Sequence, residues 1–436
     1  MKESLLNKIK QREIIVGVVG LGYVGLPLAV EKAAAGYKTI GFDIQSGKVD
    51  MVNAGINYIG DVVDEELSEL VSTRMLTATQ DFSFIKDVDF IAICVPTPLD
   101  QHQQPDITYI KNSAIQISKY LSSGTIVVLE STTYPGTTEE LLMPILEQGS
   151  GLICGKDFYL GFSPERVDPG NLIYKTKNTP KVVGGIGVNA TQVIAEMYRQ
   201  VLKSDVMEVS SPKVAEMEKL LENTYRHINI GLANEMAIIC DKMGINIWEV
   251  IDAAKTKPYG FEAFYPGPGL GGHCIPLDPY YLVWKAKEYN YHAKLIETSG
   301  IINDYMPEYV VERAADILNS YKKSINGSRI LILGVAYKQD IADYRESPAI
   351  KVIEQFEKKG ADVNYFDPYI HEYKSNGNKH IGVEILDEYV IRRADLVVIT
   401  TAHTSVDYDL VQKNAKIIFD TKNVMSKYNR FNIIVL

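Results

Sequence analysis

The sequence predicts an α/β protein in which two doubly wound, Rossmann-like domains are joined by a central helical domain with one long helix. Three observations carry this prediction. A glycine-rich turn follows a buried apolar run near the N-terminus, strands alternate with helices in both halves of the chain, and a helical pattern over 212–243 lies between the halves. The predicted domains are residues 1–210, 211–318 and 319–436.

The composition excludes several function classes. The chain has 436 residues, 46% of them apolar, and a net charge of −10, which argues against a nucleic-acid or polybasic membrane contact. Its charged N-terminal segment has no signal-peptide core, and no run of 18 apolar residues occurs, so we expect a cytoplasmic protein without a membrane partner. The four cysteines are too dispersed for a zinc site, so no metal is predicted: Cys94, Cys154, Cys240 and Cys274.

The N-terminal part has the strand–glycine turn–helix–strand–acid order of a dinucleotide site. An apolar strand at 14–19 precedes Gly20-Leu-Gly22-Tyr-Val-Gly25, a helix is predicted over 26–35, and a strand at 38–42 ends at Asp43. Asp43 is expected to accept hydrogen bonds from ribose hydroxyls, which favours NAD, although the nearby Lys48 leaves NADP open. The predicted NAD contacts here are Gly20, Gly22, Tyr23, Val24, Gly25, Asp43 and Lys48.

Three more strands of this domain end in polar or proline-containing loops. Strands are predicted at 89–95, 125–129 and 158–162, and further strands at 181–184 and 205–209 complete the sheet. Ligands of open parallel sheets bind at the carboxyl ends of the strands, so each loop is a candidate wall of the site. The loop residues selected for the cofactor side are Pro96, Thr97, Ser131 and Thr132.

The long helix over 212–243 starts with a capping serine and a proline. At 1.5 Å per residue it is roughly 48 Å long, too long for one small core, so we expect a spine between domains and a dimer contact. Lys219 and Asn223 share one face of it, and from spacing alone a solvated pair is the simpler interpretation. Its expected buried stripe is Val214, Met217, Leu220, Leu221, Ile228, Leu232 and Met236.

A glycine-rich segment, 267–278, places Cys274 just before a predicted helix start at Pro276, with Asp278 in the first turn. A cysteine at a helix N-terminus tends to have a lowered pKa and to be a better nucleophile. The alternative is a glycine-rich turn with an inert thiol. More helices are predicted at 248–254, 280–289 and 293–315.

The C-terminal part repeats the α/β pattern after a polar stretch at 321–328. Its predicted strands are 329–333, 362–366, 396–400 and 416–419, and a helix is predicted over 347–359. Because it has no GxGxxG turn, we assign it no second dinucleotide. A sugar nucleotide bound between the two α/β domains is the expected alternative.

Seven motifs, in order, make the whole of 10–430 resemble the UDP-sugar 6-dehydrogenases: GLGYVG, CVPTP, ESTTYPGTT, SPER, KLLEN, GPGLGGHCIPLD and YRESP. The residues of these motifs are most similar to those of the bacterial UDP-N-acetylglucosamine 6-dehydrogenases. UDP-glucose enzymes more often have an NPEF-like loop and a lysine where this chain has Leu277. The resemblance implies an NAD domain, a helical domain and a UDP-sugar domain, in a homodimer joined through the long helix.

The resemblance also implies a four-electron oxidation of C6 of a hexose by two NAD molecules in succession. Cys274 would hold the aldehyde as a thiohemiacetal and then as a thioester. Lys219 and Asn223 would stabilise the oxyanions. Asp278 would be the general base, Glu165 would assist hydrolysis, and Thr132 would hold the water.

Further residues are assigned to the ligands by the same resemblance. Lys338 would bind the substrate and Arg345 the NAD phosphates. Arg166 replaces an apolar residue of the UDP-glucose pattern, so we hypothesise that it contacts the 2-acetamido side of the sugar. His273 is interpreted as a backbone-shaping or substrate contact. The other expected substrate contacts are Glu165, Val167, Lys219, Asn223, Tyr259, Tyr265, Gly267 and Gly271.

Three alternatives stay open at this point. Within the class, the substrate is UDP-GlcNAc first, with UDP-ManNAc, UDP-GalNAc and UDP-glucose as alternatives. A two-electron β-hydroxyacid dehydrogenase also joins a Rossmann domain to a long helix with a lysine and an asparagine, but it has no need for the Cys274 loop or a second α/β domain. An NAD-sensing binding module would not need the thiol at all.

Overall fold

A computed structural model describes residues 1–100, 102–168, 170–171, 173–272, 274–429 and 431–436. The chain forms two compact units. The first comprises Met1–Glu222 and Tyr280–Tyr291, and the second comprises Asn223–Pro279 and His292–Leu436. The three-domain division of the sequence remains a prediction beside these two units.

The first unit is built on an eight-stranded sheet in the order β3-β2-β1-β4-β5-β6-β7-β8. All neighbouring strands are parallel except β6 and β7, which are antiparallel. The strands are β1 (Val16–Val19), β2 (Thr39–Phe42), β3 (Leu76–Thr79), β4 (Phe90–Ile93), β5 (Ile126–Leu129), β6 (Tyr159–Phe162), β7 (Lys181–Gly185) and β8 (Val206–Val209). Strands β1, β4, β5 and β6 are buried at every position, which explains why the sequence shows them as continuous apolar runs.

Helices connect these strands. A 3₁₀-helix, Phe82–Asp87, precedes β4, and a π-helical turn, Thr137–Leu142, leads into α6. The α-helices are α1 (Lys2–Gln11), α2 (Gly25–Ala34), α3 (Ser46–Asn53), α4 (Asp64–Ser72), α5 (Thr108–Ser118), α6 (Met143–Ser150) and α7 (Val188–Val201).

The long helix, α8 (Pro212–Met243), has the predicted bounds. Its predicted buried stripe is wrong. Leu220 is fully buried, but five other members are 37–65% exposed: Val214, Met217, Leu221, Leu232 and Met236. The apolar periodicity is real, but the residues that the structure describes do not cover that face of the helix.

The second unit is built on a parallel sheet in the order β10-β9-β13-β14-β15, beside an antiparallel pair, β11-β12. The strands are β9 (Arg329–Leu333), β10 (Asp362–Phe366), β11 (Glu372–Ser375), β12 (Asn378–Ile381), β13 (Leu396–Ile399), β14 (Ile418–Asp420) and β15 (Ile433–Val435). The remaining helices are α9 (Ile247–Ala254), α10 (Cys274–Glu288), α11 (Lys294–Ser320), α12 (Pro348–Lys358), α13 (Glu388–Arg393) and α14 (Tyr408–Asn414). Helix α10 begins in the second unit and continues in the first.

The predicted fold class is confirmed. Two mainly parallel sheets with connecting helices and one 32-residue helix form the chain. Among the described residues, no helix combines the length and the apolar character needed to cross a membrane. The structure differs from the prediction at α10, which begins at Cys274 rather than Pro276, and in four strands that were not predicted, β3, β11, β12 and β15.

Candidate active site

The glycine turn after β1 has the geometry of a dinucleotide site. Gly20 has a φ of 93°, and a Cβ there would lie 2.8 Å from the carbonyl oxygen of Cys94. A Cβ on Gly25 would lie 1.7 Å from the carbonyl oxygen of Gly20, so only glycine lets α2 approach β1. Gly22 has open space where its Cβ would be, which leaves room for a pyrophosphate.

Asp43 lies at the end of β2, where a ribose is expected. Its two carboxylate oxygens accept the backbone N–H groups of Leu21 and Gln45, each at 2.9 Å. Each oxygen has a second lone pair for a ribose hydroxyl. Lys48 lies 3.8 Å from the Asp43 carboxylate, so its charge is directed at this acid. The turn therefore fits NAD as the sequence predicts, with Tyr23 exposed and Val24 half-buried beside it.

The loops that follow β4 and β5 are tied to each other. The Ser131 hydroxyl donates to the carbonyl of Val95 at 2.7 Å. Thr97 is buried, and its carbonyl accepts the hydroxyl of Tyr281 on α10. Pro96 is exposed and Thr132 is half-buried. The predicted cofactor-side residues are thus held at one edge of the sheet, although their contacts with NAD remain predictions.

Glu165, three residues beyond β6, is held as an oriented carboxylate. Its Oε1 accepts the backbone N–H groups of Arg166 and Val167 at 2.8 and 3.0 Å. Its Oε2 lies 3.3 Å from the ammonium of Lys181. Burial alone would raise the pKa of Glu165, but Lys181, the two N–H groups and Lys219 lower it below its ordinary value. Glu165 is therefore ionised at neutral pH.

The Arg166 side chain contacts α8. Its Nη2 pairs with Glu222 and lies 3.5 Å from Glu218, and its Nη1 donates to the carbonyl of Pro180 at 3.0 Å. Burial and the neighbouring Glu222 raise the pKa of Glu218 to about 7. Arg166 thus links the Glu165 loop to the helix that carries Lys219, a contact that sequence reasoning missed.

Lys219 and Asn223 lie one turn apart on α8, and both are buried. Lys219 belongs to the first unit, where its charge helps to lower the pKa of Glu165. Its ammonium group makes no hydrogen bond or ion pair with the rest of the described chain. A buried cation without a fixed partner suits an oxyanion that forms during a reaction.

In the second unit, Asn223 contacts the first turn of α10. Its Nδ2 donates to Oδ2 of Asp278 at 2.5 Å, and the Asp278 side chain is buried. Cys274 is the first residue of α10, and it is exposed. Asp278 follows it by four residues on the same helix, so the thiol and the carboxylate share one face. A thiol at a helix N-terminus lies where the helix dipole favours a thiolate.

Pro279, also inside α10, explains a further contact that the sequence did not reveal. Because proline has no N–H, the carbonyl of Ile275 loses its helical donor. His227 of α8 lies with its Nδ1 3.2 Å from that carbonyl oxygen. Burial lowers the pKa of His227, so the ring is neutral and its Nδ1–H can donate. His227 thereby supports the turn that carries Cys274.

The glycine-rich segment before Cys274 packs against its own unit. A Cβ on Gly271 would lie 2.5 Å from Cβ of Tyr337, and a Cβ on Gly272 would meet the Tyr337 ring at 2.8 Å. Gly267 donates its N–H to Asn234 at 3.0 Å, and a Cβ there would lie 2.9 Å from the Lys422 ammonium. These glycines are needed for protein packing, in addition to any ligand. Lys422 is a cation beside this loop that sequence reasoning missed.

The loop that carries Lys338 is held by the acid at the end of β10. Asp367 accepts the N–H groups of Val335 and Ala336 at 2.7 and 2.8 Å and lies 3.1 Å from Nε2 of His403. The Nδ1 of His403 accepts the N–H of Asp340 at 3.0 Å. The other oxygen of Asp367 accepts two further backbone N–H groups, whereas each oxygen of Asp43 accepts only one. Asp367 is therefore less available to a ribose than Asp43, which supports assigning no second dinucleotide.

The remaining predicted contacts lie in the second unit. Tyr259 is 73% exposed, and Tyr265 stacks on Trp248 with ring centroids 5.9 Å apart. Lys338 is half-buried. The guanidinium of Arg345 binds both carboxylate oxygens of Asp343, so an NAD phosphate would compete with that pair. His273 lies outside the described residues.

Within each unit, the structure brings some predicted residues together. In the first unit, Glu165 and Arg166 lie beside α8, and the charge of Lys219 acts on Glu165. In the second, Asn223 contacts Asp278 on the turn that begins with Cys274. These groups comprise an ionised carboxylate, a buried cation, an exposed thiol and a buried carboxylate.

Comparison with protein families gives three consecutive matches, all to the UDP-glucose/GDP-mannose dehydrogenase family. Its NAD-binding domain matches residues 14–202, its central domain residues 213–305, and its UDP-binding domain residues 331–427.

Individual proteins match over most of their length. Protein CapL of Staphylococcus aureus is 36% identical over 94% of this chain and 96% of its own. A UDP-N-acetyl-D-glucosamine 6-dehydrogenase of Pseudomonas aeruginosa is 37% identical, over 83% of this chain and 86% of its own. The solved structure of a UDP-D-ManNAc dehydrogenase from Pyrococcus horikoshii has a TM-score of 0.88 and 34% identity, and covers 97% of this chain and 98% of that one.

Proposed function

Because this chain belongs to the UDP-glucose/GDP-mannose dehydrogenase family and has its NAD-binding and UDP-binding domains, we propose that it oxidises C6 of a UDP-N-acetylhexosamine to a carboxylate. The proposed substrate is UDP-GlcNAc, and the product serves surface polysaccharide synthesis. The observation that carries the proposal is the turn at the start of α10. This turn carries the exposed thiol of Cys274 and, four residues later, the buried carboxylate of Asp278, which accepts a hydrogen bond from Asn223.

The first oxidation needs a base and an anion-stabilising group. Asp278 takes the proton of the C6 hydroxyl, directly or through water, while Lys219 and the second N–H of Asn223 stabilise the alkoxide. Bound NAD supplies the hydride acceptor in both oxidations, and two molecules are consumed in turn.

The second oxidation needs the aldehyde to be held. The thiolate of Cys274 adds to C6, a carbon–sulfur bond forms, and the carbonyl oxygen becomes an oxyanion that Lys219 stabilises. Loss of the second hydride converts this adduct into a thioester. Water oriented by Thr132 and Glu165 then adds to C6, the carbon–sulfur bond breaks, and Cys274 leaves as a thiolate. The sum is one alcohol, two NAD⁺ and one water giving one carboxylate, two NADH and three protons.

The sugar is tested with a panel of UDP-GlcNAc, UDP-ManNAc, UDP-GalNAc and UDP-glucose, measured as kcat/KM with NAD. Relatives of similar identity are named UDP-N-acetyl-D-glucosamine 6-dehydrogenase, UDP-N-acetyl-D-mannosamine dehydrogenase and NDP-N-acetyl-D-galactosaminuronic acid dehydrogenase. All three names contain an N-acetylated sugar, which supports an acetamido group at C2. We expect the highest kcat/KM with UDP-GlcNAc and the lowest with UDP-glucose. A preference for UDP-ManNAc would overturn the C2 assignment but retain the reaction.

Arg166→Ala is expected to lower kcat/KM for UDP-GlcNAc by about 10- to 100-fold more than for UDP-glucose. The reason is that a hydrogen bond from a charged donor to the acetamido group contributes about 1.5–3 kcal/mol. Because Arg166 also pairs with Glu222, Glu222→Gln is the matched control. It removes the ion pair, keeps the arginine and should affect both sugars equally. An equal loss for both sugars in Arg166→Ala would exclude the acetamido contact.

For the UDP end, we propose that Lys338 and Lys422 contact the diphosphate, beside Gly267 and Gly271. Both cations lie in the second unit, and the ammonium of Lys422 adjoins Gly267. Tyr259 and Tyr265 are assigned to the nucleoside. Arg345 is assigned to the NAD phosphates, which would replace Asp343 as the partner of its guanidinium.

We further propose a homodimer joined through α8. Five apolar side chains of the predicted stripe on this helix are exposed, among them Leu221 at 65% and Leu232 at 55%, and no other part of the described chain covers that face. A two-fold interface would bury each of them twice.

Leu221→Glu is expected to shift the protein from dimer to monomer in sedimentation velocity. Each lost leucine removes about 1.5–3 kcal/mol of apolar burial, and the loss counts twice in a two-fold interface, so the dimer Kd should rise by at least about 100-fold. Met207→Glu, at an equally exposed site on β8, is the control and should leave the dimer intact. A monomeric parent protein would contradict the proposal, as would a dimeric Leu221→Glu variant.

A further inference from the structure

A buried polar network lies behind Glu165 in the first unit. Lys181, the first residue of β7, places its ammonium 2.6 Å from Oε2 of Glu130 and 3.3 Å from Oε2 of Glu165. The Tyr198 hydroxyl on α7 donates to the other oxygen of Glu130. The side chains of Lys181 and Glu130 are 5% and 0% exposed. A lysine buried to this degree is costly unless carboxylates compensate it.

The sheet topology explains why Lys181 meets Glu165. Strand β7 is antiparallel to β6, with Phe162 opposite Gly184 and Gly161 opposite Gly185. Continuing that register by three residues places Glu165 opposite Lys181. A parallel β7 would have its first residue at the other edge of the sheet. The antiparallel pairing of β6 with β7 therefore places the ammonium group of Lys181 at the edge where parallel sheets bind ligands.

The electrostatics of the network favour a charged Lys181. Burial alone would lower the pKa of Lys181, but the carboxylates of Glu130 and Glu165 raise it. Glu130 alone would balance the charge of one buried ammonium group. The second contact, to Glu165, instead fixes one oxygen of a carboxylate whose other oxygen is already held by two backbone N–H groups.

We propose that Lys181 is a positioning residue that fixes the orientation and the negative charge of Glu165, so that Glu165 acts as the base for thioester hydrolysis and not as an acid. Glu130 and Tyr198 hold Lys181 in place. The proposal rests on the function proposed above. In the step concerned, water adds to C6, its proton passes to the Glu165 carboxylate, the carbon–sulfur bond breaks, and the Cys274 thiolate leaves.

Other charged or titratable groups also act on Glu165. They are Arg166 beside it, Lys219 on α8 and Cys94 after β4. None of them changes in the test below, so a shift in the pH profile reports the loss of Lys181.

The test compares Lys181→Met with the parent enzyme in the pH dependence of kcat and in single turnovers. Activity is lost as pH falls through the pKa of Glu165. Since an opposite charge at this distance lowers a carboxyl pKa by about 1–3 units, the acid limb should move to higher pH by about one unit or more. Thioester hydrolysis should slow by at least about tenfold, so intact-protein mass spectrometry should show the UDP-uronyl adduct accumulating. Lys181→Arg, which keeps the charge, should restore much of the parent profile.

Lys181→Met leaves the buried Glu130 carboxylate without its cation. The double variant Lys181→Met/Glu130→Gln is therefore measured in parallel. It removes both charges of the pair. The acid limb should still move to higher pH, but by less than in Lys181→Met, because the repulsion of Glu165 by the Glu130 carboxylate is removed as well. Tyr198→Phe keeps both charges and should shift the limb little. An unmoved acid limb in folded single and double variants would overturn the positioning role. A parent enzyme that releases one NADH per sugar, or forms no adduct, would instead contradict the proposed function.

Discussion

Cys274→Ala is expected to abolish steady-state NADH release, with kcat reduced by at least roughly 10³-fold, within the range seen when an enzyme loses its nucleophile. Without the thiol, the aldehyde from the first oxidation has no covalent holder and the thioester cannot form. Binding of UDP-sugar and NAD should persist, because the NAD turn and the UDP-end residues are unchanged. The measurement is NADH formation at 340 nm together with calorimetric binding of UDP-GlcNAc.

Cys154→Ala is the matched control for this variant. Cys154 is half-buried, and burial raises its pKa to about 11, so its thiol is protonated and inert at neutral pH. Burial also raises the pKa of Cys94 well above its usual value. We expect Cys154→Ala to retain full activity. Full steady-state activity in Cys274→Ala would show that the covalent mechanism is wrong.

Asp278→Asn is expected to lower kcat by about 10²–10⁴-fold, the usual contribution of a positioned general base, with KM within a few-fold of the parent. The variant keeps the size of the side chain and can still accept the hydrogen bond from Asn223, so the turn should hold. Stopped-flow measurement of the first NADH released shows whether the initial oxidation is the step that slows.

Asn223→Ala tests the hydrogen bond to Asp278 separately from the role of Asp278 as the base. It leaves the Asp278 carboxylate but removes one donor to it, so we expect a smaller loss, on the order of 10- to 100-fold. If Asp278→Asn kept more than a tenth of the parent kcat, the base would have to be assigned elsewhere, with Glu165 as the other ionisable carboxylate.

Much of the fold was predictable because residues with strong local preferences, such as glycine and proline, lie where the fold requires those preferences. The Rossmann turn was predictable from Gly20 and Gly25, which the structure shows to be sterically required. The start of α8 followed from a capping serine and a proline at the first helical position. In contrast, β3 has only four residues, Leu76–Thr79, with alternating burial, so it showed no apolar run. The hairpin β11-β12 is equally short and largely exposed.

The start of α10 was placed late for a physical reason. Pro276 was predicted as the helix start because proline suits the first turn, where no N–H is needed, but α10 already begins two residues earlier, at Cys274. Pro279 is tolerated because His227 compensates the carbonyl of Ile275. That contact joins residues 48 positions apart, so no local pattern could reveal it.

For the candidate site, the sequence predicted a list of residues, which remains a prediction, but not the contacts that these residues make with one another. Arg166 was expected to face a ligand, yet its Glu222 partner lies 56 residues away. Lys181 was predicted only as the start of a strand. Its role depends on β7 being antiparallel, which the sequence pattern does not encode. The exposed face of α8 was predicted to be buried because apolar residues at helical spacing do not by themselves show what covers that face.

We propose that one site oxidises one carbon twice by way of Cys274. The most direct test is the number of NADH molecules formed per UDP-GlcNAc consumed, with the product identified by mass. Two NADH and a UDP-uronic acid are predicted, with no free aldehyde. One NADH per sugar with an aldehyde or ketone product would contradict the double oxidation through Cys274 and favour a two-electron dehydrogenase.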